Sequence, residues 1–141
     1  MLTDAAPRVS VLLPFHNAAE TLAECIESIL AQTLTGFEII AVNDFSNDDC
    51  IRILRSFDDQ RITIIDARNR GLVSALNTGL ARCAAPLVAR MDADDIMHAH
   101  RLEKQYRYLR QHHDGDDRHR PAARQPPRAA TPWCAALVVA R

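Results

Sequence analysis

Four short apolar runs, each closed by polar residues and followed by an apolar stripe of helical period, limit what this chain can fold into more than any other feature. Val9 to Leu13 (VSVLL) is almost continuous in β-branched and aliphatic residues and is closed by Pro14. A run without alternation suits a strand buried on both faces of a parallel sheet, and this one is expected to be the first central strand. Phe37 to Val42 (FEIIAV) and Leu87 to Met91 (LVARM) repeat the pattern, whereas Arg61 to Asp66 (RITIID) alternates, as an edge strand does. After the first run, Leu22, Cys25, Ile26, Ile29 and Leu30 fall on one helical face with Glu20, Glu24 and Glu27 off it, and Asn17 ahead of them can cap the first turn. Ile51 and Leu54, flanked by Cys50 and Phe57, mark a second helix. Leu72, Leu76, Leu80 and Cys83 mark a third, interrupted by Asn77 and Gly79, which both cost helix propensity. Arg101 to Gln111 is a polar helix with Leu102, Tyr106 and Leu109 on one side. Strand and helix in strict alternation predict an α/β fold, a mainly parallel sheet with right-handed crossovers and helices on its faces.

In such sheets ligands bind beyond the carboxyl ends of the strands. Three polar loops follow strand ends, at Phe15 to Asn17, Asn43 to Ser46 and Asp92 to Asp95, and are expected to converge there. The last is the most acidic. Asp92, Asp94 and Asp95 follow an apolar strand at a spacing that can hold a hard divalent cation, Mg²⁺ or Mn²⁺, which takes one or two carboxylates and completes its shell with substrate phosphates. Alternation places Asp92 and Asp94 on one side and Ala93 on the other. Taken alone, the same residues also read as an acidic turn capping the next helix. His98 and His100 read as a loop and a helix start rather than as ligands, and His16 as a loop residue rather than a base. Neither GxGxxG nor GxxxxGK[ST] follows the first strand, so phosphate bound through a metal fits better than a glycine-rich cradle.

At 141 residues, 48% of them hydrophobic, the chain suffices for one core and one site. Lys and Arg number 17 against 18 Asp and Glu, so no global field draws in nucleic acid or an anionic membrane. Cys25, Cys50, Cys83 and Cys134 form no CxxC pair and read as small apolar residues of a reducing compartment. The start, MLTDAAPR, lacks the basic and apolar run of a signal peptide, and no span reaches transmembrane length. A cytoplasmic location is expected, with peripheral contact at the inner face of a membrane left open.

Together, VSVLLPFHNAAETLAECIESILAQT, FEIIAVNDFSND, NRGLVSALNTGLARC and LVARMDADDIMHAHRLEKQ resemble the nucleotide-sugar-binding half of the family 2 glycosyltransferases, in the family's order and spacing. The resemblance covers about residues 8–111 and implies the GT-A fold, a Rossmann-like α/β/α sandwich that is incomplete here at its C-terminus. It also implies inverting transfer of a sugar from a nucleoside-diphosphate sugar, most often a UDP-sugar, to a hydroxyl of an acceptor glycan or lipid-linked glycan. Pro14, Phe15 and Asn17 match the loop that lines the base and ribose. Asp44 matches the second acid of the DDxS motif, which bonds the nucleobase, and Asn43 replaces the first. Arg70, Gly71 and Asn77 match the segment that closes over base and diphosphate. Asp92, Ala93 and Asp94 match DxD, with Asp92 toward the ribose, Asp94 toward the metal and Asp95 as a second metal contact. Phe45 stands where the family has glycine, and phenylalanine does not take a positive φ cheaply.

From His112 onward the sequence turns rich in Pro, Arg and Ala without periodicity. Residues 112–141 are expected to be either a disordered tail or an out-of-frame product, and the second fits the composition better. Trp133 to Ala140 (WCAALVVA) is not expected to add a strand. The carboxylate base of an inverting transferase belongs to the second, acceptor-binding half, so no catalytic residue is assigned, and the chain by itself is expected to bind donor and transfer nothing. Asp114, Asp116 and Asp117, the only acids of the tail, have no apolar neighbours to fix them.

Overall fold

β1 (Val9–Phe15) is buried along its whole length and lies in the middle of the sheet. The computed structural model describes residues 6–112 and the backbone of residues 138–140. After β1 come α1 (Leu22–Leu30), β2 (Phe37–Asn43), α2 (Cys50–Ser56), β3 (Ile62–Asp66), α3 (Leu72–Leu80), β4 (Leu87–Arg90), α4 (Arg101–His112) and β5 (Val138–Ala140). The strand order is β3-β2-β1-β4-β5, with β1 parallel to both β2 and β4, and β3 parallel to β2. The α/β architecture and the central and edge strands are those expected from the apolar runs.

Alternation along β1 divides the core between the two faces. Val9, Val11, Leu13 and Phe15 pack with Leu22, Ile26 and Ile29 of α1, Leu54 of α2 and Leu102 of α4. Leu12 faces the other way and packs with Ile40, Val42, Val88 and Ala75 of α3. A fully buried leucine of this kind contributes roughly 1.5–3 kcal/mol. At the N-terminal edge, the buried Ser10 hydroxyl donates to Glu38 and accepts from the Ala85 N–H at 3.0 Å, which ties β1, β2 and the approach to β4 together.

Four expectations need correction. β1 runs on through Pro14 and Phe15, which pair in register with Val42 and Asn43, because a proline near a strand end removes one ladder donor only. Asn17 does not cap α1. Its φ is 47°, Thr21 precedes the helix without a capping bond, and the Asn17 carboxamide serves another loop. α3 is not interrupted by Asn77 or Gly79, and its buried residues are Ala75 and Gly79 in line with Cys83, while Leu72 is exposed. Small residues are needed there because α3 sits so close to the sheet that a Cβ on Gly79 would overlap Leu12 Cδ1 and lie 2.6 Å from Val42 Cγ2. Finally, Val138–Ala140 does add a strand, antiparallel to β4, so the outer edge of β4 is paired along Leu87 to Ala89.

Cys25, Cys50 and Cys83 are buried and carry thiols rather than disulfides. Cys134 and the tail acids Asp114, Asp116 and Asp117 lie outside the described residues.

Gly79→Ala should therefore destabilise the fold by roughly 1–3 kcal/mol through overpacking, against the ~1 kcal/mol that alanine gains in helix propensity. Chemical denaturation measures this, and a midpoint equal to or above that of the parent protein would contradict the close approach of α3.

Candidate functional site

Because β1, β2 and β4 run parallel, the loops after them leave one edge of the sheet, and hydrogen bonds stitch the first two of those loops together. The Asp44 N–H donates to the Phe15 carbonyl at 2.9 Å, the Asn17 N–H to Ser46 Oγ at 3.0 Å and the Asn47 N–H to Asn17 Oδ1 at 2.9 Å. His16 Nδ1 donates to the Asp44 carbonyl at 2.7 Å. That contact fixes the proton on Nδ1 and leaves Nε2 as an acceptor when the ring is neutral. Asn17 and Phe45 both have positive φ, at 47° and 55°, so the backbone of each loop is strained where it meets the other.

The loop after β3 joins them. The Gly71 N–H donates to Asp44 Oδ1 at 2.9 Å, at a φ of 109° that suits glycine. Ser74 and Thr78 of α3 hold the same loop from behind, through the N–H groups of Asn69 at 3.0 Å and Arg68 at 3.3 Å. His16, Asp44, Arg70 and Gly71 line a cavity of about 210 Å³. Among the described residues, no group donates a hydrogen bond to Asp44 Oδ2, which leaves it free to accept one from a ligand. Asn43 is spent on structure, donating to Asp66 Oδ1 at 3.0 Å and accepting from the Ser46 N–H at 2.9 Å. Asn77 is exposed and lines a different depression with Arg68, Asn69, Arg70 and Ser74, so Arg70 is what the two hollows share.

After β4 the chain turns, with the Asp95 N–H bonded to the Asp92 carbonyl at 3.1 Å. Ala93 is buried while Asp92, Asp94 and Asp95 are exposed, matching the expected division of sides. α1 and the residue before it anchor the turn by its carbonyls: Thr21 Oγ1 donates to Ala93 at 3.0 Å and Cys25 Sγ to Asp92 at 3.5 Å. Arg90 bonds Asp92 Oδ1 at 3.2 Å, whereas no side chain among the described residues bonds Asp94 or Asp95. Burial, reinforced by the charges of Asp95, Asp94 and Asp92, pushes the Cys25 thiol up to about 12, so it stays protonated beside the acids.

Two residues that support this turn escape a reading of the sequence. Gln32, 4% exposed, donates to the His98 carbonyl at 2.7 Å and the Ser28 carbonyl at 3.2 Å, and accepts from the Leu102 N–H at 3.1 Å. Its signal was position, since a glutamine three residues beyond Ile29 continues the buried stripe of α1. Arg101, 8% exposed, donates to the Arg90 carbonyl at 2.9 Å and reaches Met91 Sδ at 3.4 Å beneath the acids. Burial lowers its pKa, and Asp95 and Asp92 act in the opposite sense. His16 was also missed as a cavity wall. Phe15, by contrast, is 3% exposed with its ring in the core, and Pro14 is buried, so the end of β1 offers the site its backbone.

Among the described residues, no three His, Cys, Asp or Glu side chains gather as a metal cage. Asp94 and Asp95 nevertheless fit a hard cation, because both are exposed oxygen donors free of competing side-chain bonds, and a cation such as Mg²⁺ needs only one or two carboxylates when phosphates supply the rest.

Against known proteins, the family model described as Glycosyl transferase family 2 matches residues 10–129. The chain belongs to this family. Among its relatives, the chondroitin synthase of Escherichia coli is 33% identical over 99 residues, which are 69% of this chain and 14% of that protein. Glycosyltransferase GlyA of Streptococcus pneumoniae is 35% identical over 111 residues, 77% of this chain and 16% of the relative. The chain thus spans less than half the length of the curated relatives it matches. Staphylococcus aureus TarS in complex with UDP superposes with a TM-score of 0.70 at 22% identity, over 75% of this chain and 33% of that one. A mannosyltransferase of Pyrobaculum calidifontis in complex with GDP-Man and Mn²⁺ gives 0.67 at 26% identity, over 75% and 33%. The family's glycosyltransferase fold is therefore the fold of this chain, and the match to the family profile extends beyond residue 111.

Acid should loosen contacts at both ends of the sheet, since Asp48 follows β2 whereas Asp59 precedes β3 and Glu103 lies with Arg61 and Phe37. Asp48 is held below its ordinary 3.8 by the Cys50 thiol and by the N–H groups of Ala19 and Cys50. Asp59 is lowered by Arg61, and Glu103 by the Thr33 hydroxyl and then Arg107. Folded values below unfolded ones give stability that is present above about pH 4–4.5 and lost as pH falls through the folded values. A thermal melting series should show a flat midpoint from pH 7 to 5 and a decline below about 4.5, shallower in Asp48→Asn. A midpoint indifferent to pH down to 3 would contradict these contacts.

Proposed function

We propose that this chain is the donor-binding part of a glycosyltransferase that takes a nucleoside-diphosphate sugar, a UDP-sugar foremost, and delivers the sugar with inversion to a hydroxyl of a glycan or lipid-linked glycan in polysaccharide biosynthesis. The observation that carries the reading is a carboxylate with one free oxygen, Asp44, on the same sheet edge as an exposed acidic turn, Asp92 to Asp95. Neighbouring structures carry UDP, UDP-GlcNAc or GDP-Man with Mn²⁺ in folds of this kind.

In this reading Asp44 Oδ2 accepts the ring N–H of uracil, Asn17 and the backbone of Pro14 and Phe15 shape the wall beside base and ribose, and Asp92 receives a ribose hydroxyl. Arg70, Gly71 and Asn77 close over the base and diphosphate. Asp94 and Asp95 hold Mg²⁺ or Mn²⁺, which when bound neutralises charge building on the diphosphate leaving group. The acceptor oxygen attacks the anomeric carbon on the face opposite the diphosphate, the bond to the diphosphate breaks, and the hydroxyl proton passes to a carboxylate base. No residue here is assigned that role. A second reading, donor binding without transfer by this chain alone, is favoured by its spanning less than half of its relatives. With a lipid-linked acceptor, the protein works at the cytoplasmic face of the membrane, bound peripherally. No helix among the described residues is long and apolar enough to cross one.

Calorimetry with UDP tests donor binding. Binding should require Mn²⁺ or Mg²⁺, and Asp94→Asn should weaken it by about tenfold or more, beyond the effect of Asp95→Asn. Equal binding in the presence of a chelator would contradict the assignment of the acidic turn. Radiolabelled UDP-sugar with mixed acceptors separates the two readings: the chain alone should release sugar to water slowly and to no acceptor.

A further inference from the structure

Phe45 is an aromatic side chain where a glycine would sit without strain. Its φ of 55° lies in the left-handed region, and the residue is 42% exposed, so neither backbone ease nor core burial accounts for it. What the ring does have is a partner. The Arg70 guanidinium lies over it, with Cζ 5.0 Å from the ring centroid. The loops that carry the two residues are already joined by the bond from the Gly71 N–H to Asp44 Oδ1, and Arg70 forms one wall of the cavity that Asp44, His16 and Gly71 complete. None of the ion pairs among the described residues includes Arg70. A guanidinium held over a ring uses none of its N–H donors in hydrogen bonds to that ring's substituents, so they remain to meet a ligand.

We propose that Phe45 is a positioning residue that holds Arg70 by stacking, so that the free N–H edge of the guanidinium closes the cavity against the diphosphate of a bound nucleotide. The inference rests on the nucleotide-sugar reading above and adds to it a residue that acts through another. The physical gain is pre-organisation. A free arginine loses several rotors' worth of freedom when it grips a phosphate, and one that already rests on a ring loses less. The Cβ of Phe45 strains the turn, and the stacked arginine is the compensation found at the same place.

The test uses the full chain and calorimetry with UDP, UMP and uridine in the presence of Mn²⁺. Phe45→Gly and Arg70→Ala should each weaken UDP binding by about two- to fivefold, the range of an exposed cation–π pair. The double variant should be no weaker than Arg70→Ala, because both remove one interaction. Phe45→Tyr should bind like the parent and Phe45→Leu like the glycine variant. Uridine, which lacks the diphosphate, should lose less than UDP in every variant that loses binding. Thermal melting supplies the control: Phe45→Gly relieves the turn and should melt no lower than the parent, so its loss of binding is not a loss of fold. UDP binding unaffected by Phe45→Gly and Phe45→Leu, or effects that add in the double variant, would overturn the proposal. So would a loss for uridine as large as for UDP, since the ring would then be stacking on the base. A parent protein that binds none of the three would overturn the nucleotide reading and this inference with it, an outcome distinct from a parent that binds and variants that bind equally well.

Discussion

Parallel pairing of β1 on both sides is the constraint on which the rest depends. A strand hydrogen-bonded to β2 and to β4 in the same direction must be buried on both faces, which explains an apolar run broken only by Ser10. It also sends the loops after β1, β2 and β4 to a single edge. The Asp44 N–H to Phe15 carbonyl bond and the Met91 N–H to Leu12 carbonyl bond, each 2.9 Å, extend these ladders into the loops, so the start of the site inherits the register of the sheet. Chemistry placed on such loops is held by the stiffest part of the molecule.

The acidic turn has a further requirement. Three like charges within four residues repel, and an unsupported turn of that kind would swing toward solvent. Here the carbonyls face inward to Thr21 and Cys25, the buried Arg101 lies behind, and Gln32 fastens the following segment to α1 and to the start of α4. Fixing the backbone leaves the carboxylates exposed, and among the described side chains only Arg90 is hydrogen-bonded to them, at Asp92. A site that concentrates negative charge attracts cations, and a cation there in turn attracts a diphosphate.

Sequence patterns carry the strands well because burial on both faces dictates composition directly, as in Val9 to Leu13 and Phe37 to Val42. They carry α3 badly for a physical reason. Leucine at positions 72, 76 and 80 suggests a buried stripe, yet the helix approaches the sheet so closely that Ala75 and Gly79 must line the contact, and closeness of approach leaves no mark in hydropathy. The acidic turn was legible from its residue types, whereas its support was not: an arginine opening a polar helix looks solvated, and only the fold shows Arg101 buried. Asn43, an obvious departure from the family's acid, turns out to be a hydrogen-bonded brace between β2, β3 and the Ser46 turn, which its shape allows and its lost charge does not hinder. The short strand at Val138–Ala140 was missed because three residues carry too little pattern to distinguish an added strand from an apolar accident.

The central proposal is that Asp44 and the acidic turn serve one ligand from one edge. Nuclear magnetic resonance of the ¹⁵N-labelled chain with trace Mn²⁺ tests this most directly, since the ion broadens only nearby amides. With UDP present, the amides of residues 92–97 should broaden, and Asp44 and Gly71 should shift on the same titration, while Mn²⁺ without UDP should leave most of them sharp. Broadening centred elsewhere, or shifts confined to the hollow around Arg68 and Asn77, would contradict the account.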